Sequence, residues 1–165
     1  MALTPSTMLP LQHMAPDFNL LDVMHQENIS LTELKGTKGT LVVFMCNHCP
    51  FVIHLLEHFN RLADELKPQG IATIAISSND IENYPQDGPQ QMVALCKEYG
   101  ISFPYLYDPT QEVAKAYDAA CTPDFYLFDN ESKLVYRGRY DASRPQSSTP
   151  ITGEDLKNAA LNLIN

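Results

Sequence analysis

Thr40-Leu41-Val42-Val43-Phe44-Met45-Cys46-Asn47-His48-Cys49-Pro50-Phe51-Val52 is the stretch that decides the fold. Its first six residues form an unbroken apolar and β-branched run, the pattern of a strand buried on both faces. The period then becomes helical. Val52, Leu55, Leu56, Phe59, Leu62, Ala63 and Leu66 fall on one stripe, Pro50 takes a first-turn position where a missing N–H costs nothing, and Pro68 with Gly70 stops the helix. A Cys-x-x-Cys pair thus stands where a buried strand passes into an amphipathic helix. The first turn of a helix presents unpaired N–H groups and the positive end of the dipole, which favour a thiolate, the nucleophilic form of cysteine. The placement predicts Cys46 as the exposed, low-pKa attacking sulfur and Cys49, expected one turn into the helix, as the buried resolving one. His48 can carry positive charge or donate to the thiolate, stabilising the reduced form and making the disulfide more oxidising. The competing readings are a structural zinc half-site and two unrelated core cysteines. Zinc sites usually add a second Cys or His pair at knuckle spacing, and none is identified here apart from His54 and His58, which read as part of a solvated helix face.

Outward from this centre, residues 15–22 read as a short strand, with a second extended piece at 28–31 and a helical turn at 32–36. Residues 71–77 (IATIAIS) are another buried strand, 90–99 a helix closed by Gly100, 103–107 a short strand and 111–117 a short helix. Residues 124–128 and 133–140 read as an antiparallel hairpin around a turn at 129–132. Thr152-Gly153-Glu154-Asp155 opens a last helix that runs to the C-terminus. Parallel and antiparallel strands are mixed, which gives a single α/β domain over residues 1–165 with helices on both faces of the sheet. The loop at 78–89 follows a strand end and is either a lip beside the site or a plain connection.

The bulk numbers exclude several classes. Eleven Lys and Arg against twenty Asp and Glu give a net charge of −9, which argues against a nucleic-acid partner. No stretch approaches the roughly 20 apolar residues of a membrane helix. Residues 1–12 lack the basic start and apolar run of a secretory signal, so a cytoplasmic location is expected. Thiols stay reduced there, and four cysteines are then not a structural disulfide set.

Three segments carry a family resemblance: Phe44-Met45-Cys46-Asn47-His48-Cys49-Pro50-Phe51-Val52, Ala15-Pro16-Asp17-Phe18-Asn19-Leu20-Leu21-Asp22, and Cys121-Thr122-Pro123-Asp124-Phe125-Tyr126-Leu127-Phe128-Asp129. In this order they resemble the thioredoxin-like redoxins, in particular the peroxiredoxin-like, AhpC/TSA-type branch with an Asn-His-Cys-Pro core, over roughly residues 14–140. The resemblance implies a thioredoxin fold with a central mixed sheet and an N-terminal β extension. It also implies a cis peptide bond before Pro123, a loop lying against the Cys-x-x-Cys, and substrate pairing with the backbone at Thr122. Cys121, two residues ahead of Pro123, then falls close to Cys46, as an alternative resolving thiol or as a small apolar filler.

The sequence departs from both parent families. It has no Trp, where thioredoxins typically carry one before their motif. Cys46 and Val42 stand where peroxiredoxins typically carry a Thr and a Pro. A peroxidase also needs an Arg near its thiolate, and the alternation of Leu134, Tyr136 and Tyr140 predicts Arg137 and Arg139 on the opposite, wetter face. Cys96, beside Met92, Val93 and Tyr99, reads as a buried structural thiol. His54-Leu55-Leu56-Glu57-His58 matches an H-x-x-E-H zinc pattern, but with Arg61 and Glu65 it forms the polar stripe opposite the core, expected to be solvated.

The resulting expectation is a thiol–disulfide oxidoreductase acting on protein or small-molecule disulfides, without cofactor or metal, recycled by thioredoxin or a low-molecular-weight thiol. Its catalytic candidates are Cys46, Cys49, His48, Pro123, Thr122 and Cys121. A peroxide-reducing antioxidant enzyme is the first alternative, and a metal-binding or redox-sensing module the second.

Overall fold

The computed structural model describes residues 11–47, 49–78, 85–119, 123–141, 143 and 148–164. Strands β1 (Asn19–Asp22) and β2 (Glu27–Ser30) form an antiparallel ribbon. Ser30 then caps the one-turn helix α1 (Leu31–Leu34). Its hydroxyl accepts from the Glu33 N–H while the Glu33 carboxylate accepts from the Ser30 N–H. Next come β3 (Gly39–Phe44), buried at every position, and α2 (Pro50–Leu66), whose buried residues are the seven of the sequence stripe. A 3₁₀ turn over Lys67–Gln69 and Gly70, at φ 94°, reverse the chain into β4 (Ile71–Ser77). Helix α3 (Pro89–Tyr99), β5 (Tyr105–Tyr107), α4 (Glu112–Ala116), β6 (Asp124–Asp129), β7 (Leu134–Gly138) and α5 (Glu154–Ile164) complete the order.

The seven strands form one sheet in the order β2-β1-β5-β4-β3-β6-β7. Strands β3, β4 and β5 run parallel, and every other pairing is antiparallel. Successive β3 side chains feed two separate cores. Leu41, Val43 and Met45 pack with Leu56, Phe59 and Leu62 of α2, whereas Val42 and Phe44 pack with Ile74, Ile76, Tyr117, Tyr126 and Phe128 on the other side. A strand with a core on each face has no polar side to show, which is why its sequence does not alternate.

Strand β7 departs from the expected alternation. Its register against β6 slips between Leu127 and Phe128, which pair with Tyr136 and Leu134 and leave Val135 as an extra residue. The bulge puts Leu134 and Tyr136 on different faces. Arg137 consequently lies on no wet face. It is opposite Tyr126 in register, with its guanidinium carbon 4.5 Å from that ring's centre, and it pairs with Asp124 at 2.8 Å. Arg139 is exposed, as expected, and pairs with Asp155.

Candidate active site

Strand β3 ends at Phe44, and the chain stays tied to the sheet one residue further, where the Met45 N–H donates to the Ile76 carbonyl at 3.0 Å. Cys46 follows, 1 % exposed. The Asn47 N–H donates to Oδ1 of Asp87 at 2.8 Å, and the Tyr105 hydroxyl donates to Oδ1 of Asn47 at 3.0 Å. Cys49, partly exposed, is the N-cap of α2 with extended backbone (φ −66°, ψ 123°), and Pro50 is the first helical residue.

This reverses the expected exposure of the two cysteines. Cys46 is the buried one, three residues before the N-cap, and Cys49 stands at the mouth of the helix rather than a turn inside it. The cause is Pro50. A proline ring clashes with α-helical backbone at the residue before it, so the helix cannot extend back through Cys49. The signal was present in the sequence as the Cys49-Pro50 pair. No acidic side chain occupies the first turn of α2, so the positive end of the helix stays available to an anion at the cap position.

Pro123, half-buried, directly precedes β6, whose first residue Asp124 pairs with Phe44 at the end of β3. The antiparallel register therefore brings Pro123 to the level of the cysteine motif. His48, Cys121 and Thr122, and with Thr122 the peptide bond before Pro123, lie outside the described residues, as do residues 79–84 of the 78–89 loop. Two site residues escaped the sequence reading. Asp87 and Tyr105 are fully buried and meet at Asn47, but Asp87 reads as an ordinary loop acid and Tyr105 as core. Only the parallel pairing of β5 with β4 brings Tyr105 to the motif.

The other candidates resolve into structural roles. Cys96 is 2 % exposed, and burial pushes its thiol up to about 11. Of the polar stripe, Arg61 and Glu65 are exposed as expected, but His54 and His58 are only partly so. Tyr140 and Ser143 lie against the two histidines, with His54 at 3.3 Å from the Ser143 hydroxyl and His58 at 2.6 Å from that of Tyr140. Among the described residues no group of three or more His, Cys, Asp or Glu could hold a metal ion, and no helix is long and apolar enough to cross a membrane.

Comparison with known proteins places this geometry. An uncharacterized conserved protein from Geobacillus kaustophilus is 50 % identical and superposes with a TM-score of 0.94, over 96 % of this chain and 84 % of that one. The thioredoxin domain of a thiol-disulfide oxidoreductase from Bacteroides vulgatus, 20 % identical, superposes at 0.71 over 96 % of this chain and all of that domain, which identifies the thioredoxin fold. The thiol-disulfide oxidoreductase ResA of Halalkalibacterium halodurans is 31 % identical over 116 residues, 70 % of this chain and 61 % of that protein. The chain thus spans about three fifths of the length of the curated relatives it matches first. The AhpC/TSA family model matches residues 11–137, about three quarters of the chain. The chain belongs to the AhpC/TSA family.

Proposed function

We propose that the protein is a thiol–disulfide oxidoreductase in which Cys49 attacks and Cys46 resolves. The observation that carries this reading is the position of Cys49 as the N-cap of α2, partly exposed, with Cys46 buried three residues before it. The N-cap position lies beside the free N–H groups of the first turn, and those groups and the dipole favour a thiolate there.

In the reductive direction the Cys49 thiolate attacks one sulfur of a substrate disulfide. That S–S bond breaks, and the departing thiolate takes a proton. Cys46 then gives up its proton and attacks Sγ of Cys49 in the mixed disulfide, expelling the second substrate thiolate. Two electrons pass to the substrate, and the protein is left with a Cys46–Cys49 disulfide. Thioredoxin or a low-molecular-weight thiol would return it to the dithiol. Membership of the AhpC/TSA family supports a second reading, peroxide as oxidant. Cys49 would then attack the peroxide oxygen, releasing alcohol or water, and Cys46 would displace hydroxide from the sulfenic acid to form the same disulfide.

Disulfide and peroxide turnover measured side by side, with Cys49→Ser and Cys46→Ser variants, tests the proposal. Cys49→Ser should abolish turnover, while Cys46→Ser should accumulate a mixed disulfide at Cys49 visible by mass spectrometry. A mixed disulfide trapped on Cys46 in the Cys49→Ser protein would invert the roles. Peroxide turnover exceeding disulfide turnover would favour the second reading.

A further inference from the structure

The segment leaving Cys46 is held from two elements that are distant in sequence. The 3₁₀ turn Pro85–Asp87 ends in a carboxylate with no exposure at all, and that carboxylate accepts the Asn47 N–H. Tyr105, also fully buried, donates to the Asn47 side chain from β5. Burial, then the neighbouring Cys46 and Asp87, push the Tyr105 phenol well above its ordinary value, so it serves as a neutral donor. Cys46 and Asp87 therefore both act electrostatically on one phenol in the interior. Burying a carboxylate is costly unless it is hydrogen-bonded, and a hydroxyl or amide side chain could have held the Asn47 N–H without bringing a carboxylate to the residue that follows Cys46.

We propose that Asp87 is a positioning residue for the redox centre: through its hydrogen bond to Asn47 it fixes the backbone between the cysteines, and its buried charge disfavours a thiolate at Cys46 and so sets the dithiol–disulfide equilibrium toward the disulfide. The inference rests on the dithiol reading above. Like charges in a poorly screened interior repel strongly. In the disulfide Cys46 carries no charge, whereas above its own titration midpoint the reduced Cys46 is a thiolate next to Asn47 and the Asp87 carboxylate bonded to it, so at such pH the repulsion falls on the reduced form. The other titratable groups acting around this region include Cys49 from α2, Tyr105 from β5, Cys96 from α3 and Asp22 of β1, whose charge acts on Cys96; the Cys96 thiol, pushed up to about 11, and the phenol are silent near neutral pH.

The test is equilibration of the full-length protein with glutathione redox buffers, comparing the natural chain, Asp87→Asn and Tyr105→Phe, together with the pH profile of Cys46 alkylation in a Cys49→Ser background. The Asn variant keeps an acceptor for the Asn47 N–H and removes the charge. In buffers above the Cys46 alkylation midpoint it should shift the equilibrium toward the dithiol at least tenfold, about 30 mV, and it should move that midpoint to lower pH. Tyr105→Phe, which changes no charge at the thiol, should shift the equilibrium less than Asp87→Asn. An Asp87→Asn protein matching the natural one in both measurements overturns the inference. Should that variant fail to fold, the Cys49→Ser protein decides alone, since a Cys46 midpoint at or below that of an ordinary thiol contradicts a repelling carboxylate. If the natural chain forms no Cys46–Cys49 disulfide in any glutathione buffer, the dithiol reading fails first, and that result is distinct from an unmoved Asp87→Asn equilibrium.

Discussion

Cys49 and Pro50 act as a pair. The proline stops the helix from reaching back, and the cysteine before it becomes the cap, closer to water than Cys46. Iodoacetamide at pH 7 on the reduced native protein should therefore label Cys49 before Cys46. Faster labelling of Cys46 would restore the roles that the motif alone suggests. Cys96 should stay unmodified until the chain unfolds. With its thiol at about 11, only about one in a thousand is ionised at pH 8, and thiolate rather than thiol reacts. Labelling of native Cys96 at a rate near that of Cys49 would refute that placement.

At the scale of an element, one side chain ties down the segment that leads into α5. Asp141, 2 % exposed, accepts from the backbone N–H groups of Thr152 and Gly153 just ahead of the helix, and from both N–H and hydroxyl of Ser143. Burial works against this carboxylate, but the bonds from Ser143, Gly153 and Thr152 outweigh it and hold its pKa below the ordinary value. Asp141→Ala should cost about 2–4 kcal/mol by urea unfolding, because it orphans several buried donors; a loss under about 1 kcal/mol would show that water replaces them. On the adjoining face of α2, burial and then Arg61 hold His58 below its ordinary value. A histidine whose folded pKa is lowered stabilises the fold above its unfolded value of about 6.5. That contribution declines as pH falls from there through the folded pKa, because the unfolded chain binds the proton more readily. His58→Gln should accordingly flatten the drop in urea midpoint between pH 7 and 5, and an unchanged slope would remove His58 from the acid response.

Across the whole molecule, β6 joins the redox end of the sheet to a buried charge pair. The Arg137 side chain has no exposure and that of Asp124 3 %, and Arg137 also donates to the Asp118 carbonyl at 2.8 Å. Removing one partner of such a pair strands the other in a poorly solvating interior. Asp124→Ala and Arg137→Ala should each cost about 3–5 kcal/mol, and the double variant should lose less than the two added together. Full additivity in that cycle would mean the two side chains do not interact. Because Asp124 pairs with Phe44 and follows Pro123, both single variants should also slow disulfide exchange, read in the same turnover assay under conditions where they remain folded.

By itself the sequence determined the elements and the strand-to-helix junction at which the candidate site stands. The buried run ending at Cys46, the stripe from Val52 to Leu66 and the Gly70 and Gly100 stops are local patterns, and local sterics and burial period are enough to write them. The same local rule would have put Cys49 at the cap, since it needs only the following Pro50. Only the tertiary structure decided what depends on register and on contacts between distant segments. The Val135 bulge, which moves Arg137 into a core, arises from how β7 pairs with β6. The meeting of Asp87 and Tyr105 at Asn47 joins residues 40 and 58 positions away from it in the chain. No period or propensity encodes such a meeting, because it arises when the sheet closes beside β3 and brings the ends of its neighbours to one point.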